Sequence, residues 1–581
     1  MVKEYNSAGG CIMLNLIPKV KILEERDTFL TKNTLCFDVA SVADKRLVTA
    51  MEKLPLSADG AKTTIALMGN EGEGYDLWID EDEVRIQGEG PAGAFYAIQT
   101  LRQIFEADKI PCLHIKDRPD FGYRGFYHDV TRGKVPTVDT IKGLIDYMAY
   151  YKLNSLQLYV EHTYEFKETE ELTKTTSCLT AAELQELDRY CRENFIEFIP
   201  SLSTFGHMYE ILQQEKYQHL RVLKNYTPSP NFWVERMAHH TIDPQMEESE
   251  ELVKSLIDQY APNFTSEYFN ICCDETFDLI KQCEESGEDV GELYVGFVNK
   301  LISHLKAKGK KIMMWFDILV KHPEAVQYLP EDTIFLNWDY SPNVTDRDAA
   351  KIKSMGRRQI VCPGTWTWTR LCEDVQTSTL NITKMIDHGY KNGAIGVLNT
   401  NWGDHANPCS IELALYSMVL GAAKSWTVAT VVDEAYNAAV NSLLYGSANG
   451  VKYITDISAI HYRIPGGEFT RKYFSHRYGD NSFKQLVTLD TVREVQDECT
   501  RIIKEISNDT CLKEAFKEEM IVAAEGFMMA VEFAGKMSGL DFERITDSKA
   551  GIEKFRKLWL SKNKPSELNN IVQLVEYCDS L

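Results

Sequence analysis

From residue 124 to about residue 423, short apolar runs alternate with helical stretches eight times. The runs are RGFYHDV (124–130), SLQLYV (155–160), EFIPSLS (197–203) and YFNICC (268–273). They continue with KIMMWFD (311–317), TIFLNWD (333–339), QIVCPGT (359–365) and AIGVLNTNW (394–402). Between the first two runs, Val138, Ile141, Leu144, Ile145 and Met148 fall on one face of a predicted helix. Near-continuous apolar strands of this length suit a parallel sheet covered on both faces. Eight strand–helix units predict a (β/α)8 barrel over residues 119–423. A doubly wound open sheet is the structural rival, but no GxGxxG follows the first run.

The flanks have other rhythms. Residues 1–118 read as an α+β domain. In YDLWIDEDEVRIQG, alternating Tyr75, Leu77 and Ile79, an acidic turn, then Val84 and Ile86 predict a hairpin. A helix follows from Pro91 with a stripe of Ala94, Ala97, Ile98, Leu101 and Ile104. Residues 424–581 carry helical spacing with mixed charge and predict a helical domain, a candidate surface for a homodimer.

Composition narrows the partners. The net charge of −23 argues against nucleic acid or an anionic membrane, which need Lys and Arg patches. No apolar run is long enough to span a bilayer. The start, MVKEYNSAGGCIMLNLIPKV, lacks the pattern of a cleaved leader. Fourteen irregularly spaced cysteines suit reduced thiols, so a cytoplasmic location is expected.

Barrel enzymes place their chemistry at the C-terminal ends of the strands. Here those ends offer Asp129, Glu161 and His162, His207, Asp274 and Glu275, Trp315 and Asp317, Trp338 and Asp339, Trp366 and Trp368, and Trp402 and Asp404. Five of the nine tryptophans fall in this set, and indoles beside carboxylates suggest a sugar pocket. Two-carboxylate glycosidases set their acids across the scissile bond, about 5–5.5 Å apart for retention and 6.5–9.5 Å for inversion. Asp274 and Glu275 are neighbours on one strand end and approach a substrate from one side. Such a pair suits an acid plus a group that steers a nucleophile belonging to the substrate, and a 2-acetamido group is such a nucleophile.

The segments GYDLWIDEDEVRIQGEGPAGAFYAIQTLRQIF, YRGFYHDVTRGKVPTVDTIKGLIDYMAYYKLNSLQLYV, PSLSTFGHM, NICCDETFD and NWGDHANP together resemble the glycoside hydrolase family 20 β-N-acetylhexosaminidases over residues 70–410. The resemblance implies a retaining exo-enzyme that removes terminal GlcNAc or GalNAc through an oxazolinium intermediate. Glu275 would be the general acid and Asp274 would hold the acetamide N–H. Arg124 and Asp404 would grip sugar hydroxyls, Trp315, Trp338 and Trp402 would wall the pocket, and His207 would sit behind the pair. No cofactor or metal is implied, and the partner is an oligosaccharide or glycoconjugate ending in an N-acetylhexosamine.

The chain also departs from the family pattern. Ser203 replaces an acidic residue in STFGH, and the seventh-strand segment CPGTWTW offers Trp366 and Trp368 where many members have an acetamide-binding tyrosine. That departure keeps a non-catalytic sugar-binding barrel in play. Duller readings make Arg124 an ion-pair partner, His207 a core histidine, Trp315 and Trp338 barrel packing, and Asp404 a helix cap. A metal-dependent hydrolase built on His128, His162 and His207 is the remote rival, lacking HxH or HExxH spacing.

Overall fold

In the first domain, strands β1 (Ile22–Phe29), β2 (Leu35–Phe37), β3 (Ala61–Leu67), β4 (Tyr75–Ile79), β5 (Glu83–Gly88) and β6 (Pro111–Asp117) form one sheet in the order β1-β6-β4-β5-β3-β2. The computed structural model describes residues 14–174, 176–224, 236–237, 239–404, 406–464 and 487–580. The hairpin expected from alternation is β4–β5, with Tyr75 opposite Gly88 and Ile79 opposite Val84. Helix Pro91–Ile104 opens on a proline, whose missing N–H is one of the unpaired donors of a first turn anyway. Its predicted stripe is fully buried and packs on the sheet.

All eight apolar runs become strands of one closed parallel barrel. They are β7 (Tyr123–Asp129), β8 (Ser155–Val160), β9 (Glu197–Leu202), β10 (Tyr268–Asn270), β11 (Lys311–Trp315), β12 (Ile334–Trp338), β13 (Arg358–Cys362) and β14 (Gly396–Asn401). The barrel closes where β14 pairs with β7, from Gly396 opposite Tyr123 to Asn401 opposite His128. Its interior is packed with side chains including Tyr127, Ile199, Met313, Leu336, Ile360 and Leu398, so it is a core and not a channel.

Beyond the barrel, helices Glu434–Val440, Gly450–Ile460, Leu489–Asn508, Glu514–Met537, Ser548–Lys562 and Leu568–Ser580 form the helical region. The turn between the last two reaches back to the barrel loop that follows β7. Thr137 N–H donates to Lys562 O at 2.9 Å, Lys564 N–H to Val135 O at 2.8 Å, and Glu567 N–H to Gly133 O at 3.1 Å. Residues 133–137, which continue from the β7 end, are thereby held like a strand against a partner. Among the described residues, no helix is long and apolar enough to cross a membrane. The described cysteines are free thiols.

Candidate active site

The end of β10 is where the backbone departs most from regular strand. Pairing stops at Asn270, and Cys272, Cys273 and Glu275 take φ values of 56°, 65° and 50°. Left-handed conformations in non-glycine residues are costly and persist where the surroundings over-determine them. Two contacts do so here. Glu275 N–H donates to Asp317 Oδ2 at 2.9 Å. Gly206 lies so close that a Cβ on it would meet Asp274 O at 2.3 Å, so no larger residue fits there. The consequence is that Asp274 and Glu275 leave the strand with both carboxylates turned to one histidine.

That histidine is His207. Its Nε2 lies 3.3 Å from Asp274 Oδ2 and 3.2 Å from Glu275 Oε2. Burial by itself would lower the imidazole pKa, but the negative charge of Asp274 and the adjoining Glu275 carboxylate outweigh it and push it up to about 10. The ring is therefore a cation held beneath the acid pair. Its contacts to the two carboxylates are ionic and lack hydrogen-bond alignment, and Asp274 Oδ1 is buried without a partner. Behind His207 its Nδ1 faces Glu161 Oε1 at 3.9 Å. Arg236 and Arg132 overcome the burial of Glu161 and hold its carboxyl down at about 2. His207 N–H donates to His240 Nδ1 at 2.8 Å, which fixes the loop.

The far side of the mouth is organised by Arg132. Its Nη1 donates to Asp404 Oδ1 at 2.6 Å and lies 3.6 Å from Asp129 Oδ2, and its Nε is 3.4 Å from Glu161 Oε1. The guanidinium lies over the rings of Tyr159 and Trp402. Asp129 ties the loops together, accepting from Thr131 and Arg132 N–H with one oxygen and from Gly403 N–H with the other. Gly133, with φ of 110°, packs directly against Ala406, where a Cβ would meet carbonyl carbon at 2.5 Å.

Aromatic rings supply the walls. Trp402 Nε1 donates to Tyr340 Oη at 2.7 Å, and Tyr340 stacks on Trp338 with centroids 5.1 Å apart. Trp315 is buried beneath, edge-on to Tyr127 at 5.4 Å, with its Nε1 unpartnered. Trp366 donates from Nε1 to Tyr340 O at 2.7 Å and packs on Trp368 at 4.5 Å, so it supports the wall from outside. Cys272 and Cys273 are buried packing thiols, and burial pushes Cys272 up to about 12.

Asp274, Glu275, His207, Trp315, Trp338, Trp402 and Asp404 thus converge on one mouth, with Trp366 beside it. Arg124 does not. It is the second residue of β7, at the N-terminal end of the strand, and is fully buried. Its guanidinium donates to Glu73 Oε2 at 2.7 Å and Oε1 at 2.9 Å, to Phe121 O and to Lys152 O, and lies over Tyr96 and Trp426. It joins the first domain to the floor of the barrel, because a strand's two ends face opposite ends of a barrel. The arginine at the mouth is Arg132, three residues past the β7 end. Arg124→Met should therefore lower stability by about 3 kcal/mol, the low end for breaking a buried ion pair since Glu73 is partly exposed. Denaturant titration reads this loss, while KM of the folded variant stays near that of the parent. The sequence did not single out Tyr340, which stands at the sixth strand end in NWDY and accepts from Trp402 at the mouth.

Among the described residues, His207, Asp274 and Glu275 are the one set of metal-type side chains whose ligand atoms lie within 4.8 Å of one another. His128 and His162 are not in it; His128 Nδ1 contacts Asn401 Nδ2 instead. In this set one imidazole nitrogen faces both carboxylates, an arrangement suited to proton handling. EDTA dialysis is expected to leave turnover unchanged.

Residues 121–427 match the family model "Glycosyl hydrolase family 20, catalytic domain", and residues 31–118 match "Glycosyl hydrolase family 20, domain 2". The chain belongs to glycoside hydrolase family 20. Relatives within it include a beta-hexosaminidase of Porphyromonas gingivalis, 27% identical over 53% of this chain and 46% of its own length. Another is a beta-hexosaminidase of Vibrio furnissii, 22% identical over 63% of this chain and 66% of its own. The chain thus spans about half to two thirds of the length of these curated relatives. The family 20 fold is shared with a Flavobacterium johnsoniae chitobiase, at a TM-score of 0.62, 18% identity and coverage of 94% of this chain and 99% of that one. It is shared also with a Vibrio harveyi exo-β-N-acetylglucosaminidase crystallised with N-acetylglucosamine, at a TM-score of 0.58, 18% identity and coverage of 76% and 78%.

Proposed function

We propose that the protein is a retaining exo-β-N-acetylhexosaminidase working through the substrate's own acetamide. One observation carries this reading. The carboxylates at the ends of β7, β8 and β14, Asp129, Glu161 and Asp404, are all engaged by Arg132, which leaves none of the three free to act as nucleophile. The nucleophile then comes with the substrate.

Glu275, with about a quarter of its side chain exposed, protonates the departing oxygen and afterwards takes a proton from water. Asp274 accepts the acetamide N–H through its unpartnered Oδ1 and stabilises the oxazolinium charge. Tyr340 Oη, which accepts from Trp402 at the mouth, is the candidate donor to the acetamide carbonyl. A tyrosine in that role favours hydrolysis over a binding-only barrel. His207 offsets the charge of two adjacent carboxylates. Arg132 and Asp404 grip hydroxyls at the non-reducing end of the sugar.

Hydrolysis of aryl β-GlcNAc and β-GalNAc glycosides, with NMR of the first-formed anomer, tests the reading. Release of the β-anomer is expected; the α-anomer, or no hydrolysis, overturns it. Asp274→Asn should lower kcat by about 10²–10³, comparable to deleting an oxyanion-hole donor. Arg132→Met should lower kcat/KM by about 10–10²-fold, the worth of one or two charged hydrogen bonds.

A further inference from the structure

Arg132 and Asp404 meet at 2.6 Å across the mouth, on loops whose next residues are held from outside the barrel. Asp404 is followed closely by Ala406 and Asn407, with φ of 70° and 45°. Neither is glycine, so this left-handed backbone is costly and needs support from its surroundings. For Ala406 that support is the helical region, where it is buried in one apolar cluster with Trp559, Leu568 and Val572. Arg132 is followed by Gly133, which is wedged against Ala406 and whose carbonyl accepts from Glu567 N–H. Lys134 then donates from Nζ to Cys409 O at 2.6 Å, with its ammonium over the Trp559 ring at 4.9 Å. Trp559 Nε1 donates in turn to Lys564 O at 3.0 Å. Lys564 carries the tie to the loop after β8, donating from Nζ to Cys178 O at 2.7 Å and to Glu183 Oε2 at 2.8 Å. One segment of the helical region, residues 559–568, thus touches the loops after β7, β8 and β14. Those are the strands that bring Arg132, Glu161 and Asp404 to the mouth.

We infer that the helical region is part of the active site: it sets the Arg132–Asp404 pair in the geometry that grips the sugar, with Lys564 and Val572 as positioning residues. The inference rests on the hydrolase reading above and adds to it residues that act only through others. Neither loop fixes its own shape. Gly133, at φ of 110°, has no side chain to restrict it, and the turn after Asp404 is strained. A binding group works only when it is held within about 0.5 Å of its productive place by packing and hydrogen bonds behind it. Here that second layer comes from the helices, through the Glu567 N–H, the Lys564 ammonium and the cluster around Ala406.

The test is a pair of double-mutant cycles in the full chain, read on an aryl β-GlcNAc glycoside. Lys564→Met removes the tie to the β8 loop, and Val572→Ala trims the cluster that holds Ala406. In the parent each should lower kcat/KM about three- to tenfold, the coupling expected within one contact network. The loss should fall chiefly on KM, as it does when binding common to ground and transition states is weakened. In the Arg132→Met background the same changes should cost less than about twofold, because the group they position is gone. Urea titration gives the folded fraction of each variant, to which its rates are normalised, and either cycle decides if the other variant fails to fold. Equal losses with and without Arg132, as a merely structural role would produce, overturn the inference and leave the hydrolase reading intact. No loss in the parent does the same. If the parent hydrolyses no aryl glycoside, the hydrolase reading falls and this inference falls with it.

Discussion

Replacing the 2-acetamido group of the substrate by a hydroxyl should lower kcat/KM by about 10³–10⁶-fold. The figure follows from effective molarities of about 10⁵–10⁸ M for well-oriented intramolecular nucleophiles, set against bulk water as the replacement. Among the mouth carboxylates described above, none is left free to compensate. Asp129, Glu161 and Asp404 are all engaged by Arg132, and Asp317 accepts from the backbone N–H of Glu275. Paired assays of aryl β-glucoside and aryl β-N-acetylglucosaminide measure the ratio. Comparable turnover of the two, or mass-spectrometric capture of a glycosyl ester on any carboxylate, would sink the mechanism.

Glu275→Gln is expected to cost about 10²–10⁴ in kcat on a glycoside with a poor leaving group, the usual share of general acid–base catalysis. The amide keeps the side-chain volume, so the strained turn and the Asp317 contact, which is made to the backbone N–H, remain in place. The loss should shrink on dinitrophenyl glycosides, whose leaving group departs without a proton. A loss independent of the leaving group would assign Glu275 a role other than proton delivery. Full activity of the variant would exclude it from the chemistry.

Much of the scaffold was legible in one dimension. Each of the eight apolar runs is a barrel strand because a strand buried on both faces has no polar positions to interrupt it. The hairpin at β4–β5 and the helix from Pro91 were legible for the complementary reason: period-two and period-3.6 patterns report which face is covered. The adjacent Asp274 and Glu275 stood out because a buried strand seldom ends in two acids, and adjacency alone limits how they meet a substrate.

The arginines and the tyrosine were not legible in this way. Arg124 lies at the start of β7 and Arg132 just past its end, and the motif that carries the family resemblance includes both. Only the barrel separates them, sending one to the floor against Glu73 and the other to the mouth against Asp404. Tyr340 and Trp402 are 62 residues apart and meet at 2.7 Å because the parallel strands bring their C-terminal ends to one rim. The sequence by itself determined the order of strands, the residue types at their ends and the acid pair. The tertiary structure decided which carboxylates are neutralised and which are left free to act. Charge pairing depends on distance through space, and chain separation does not encode it.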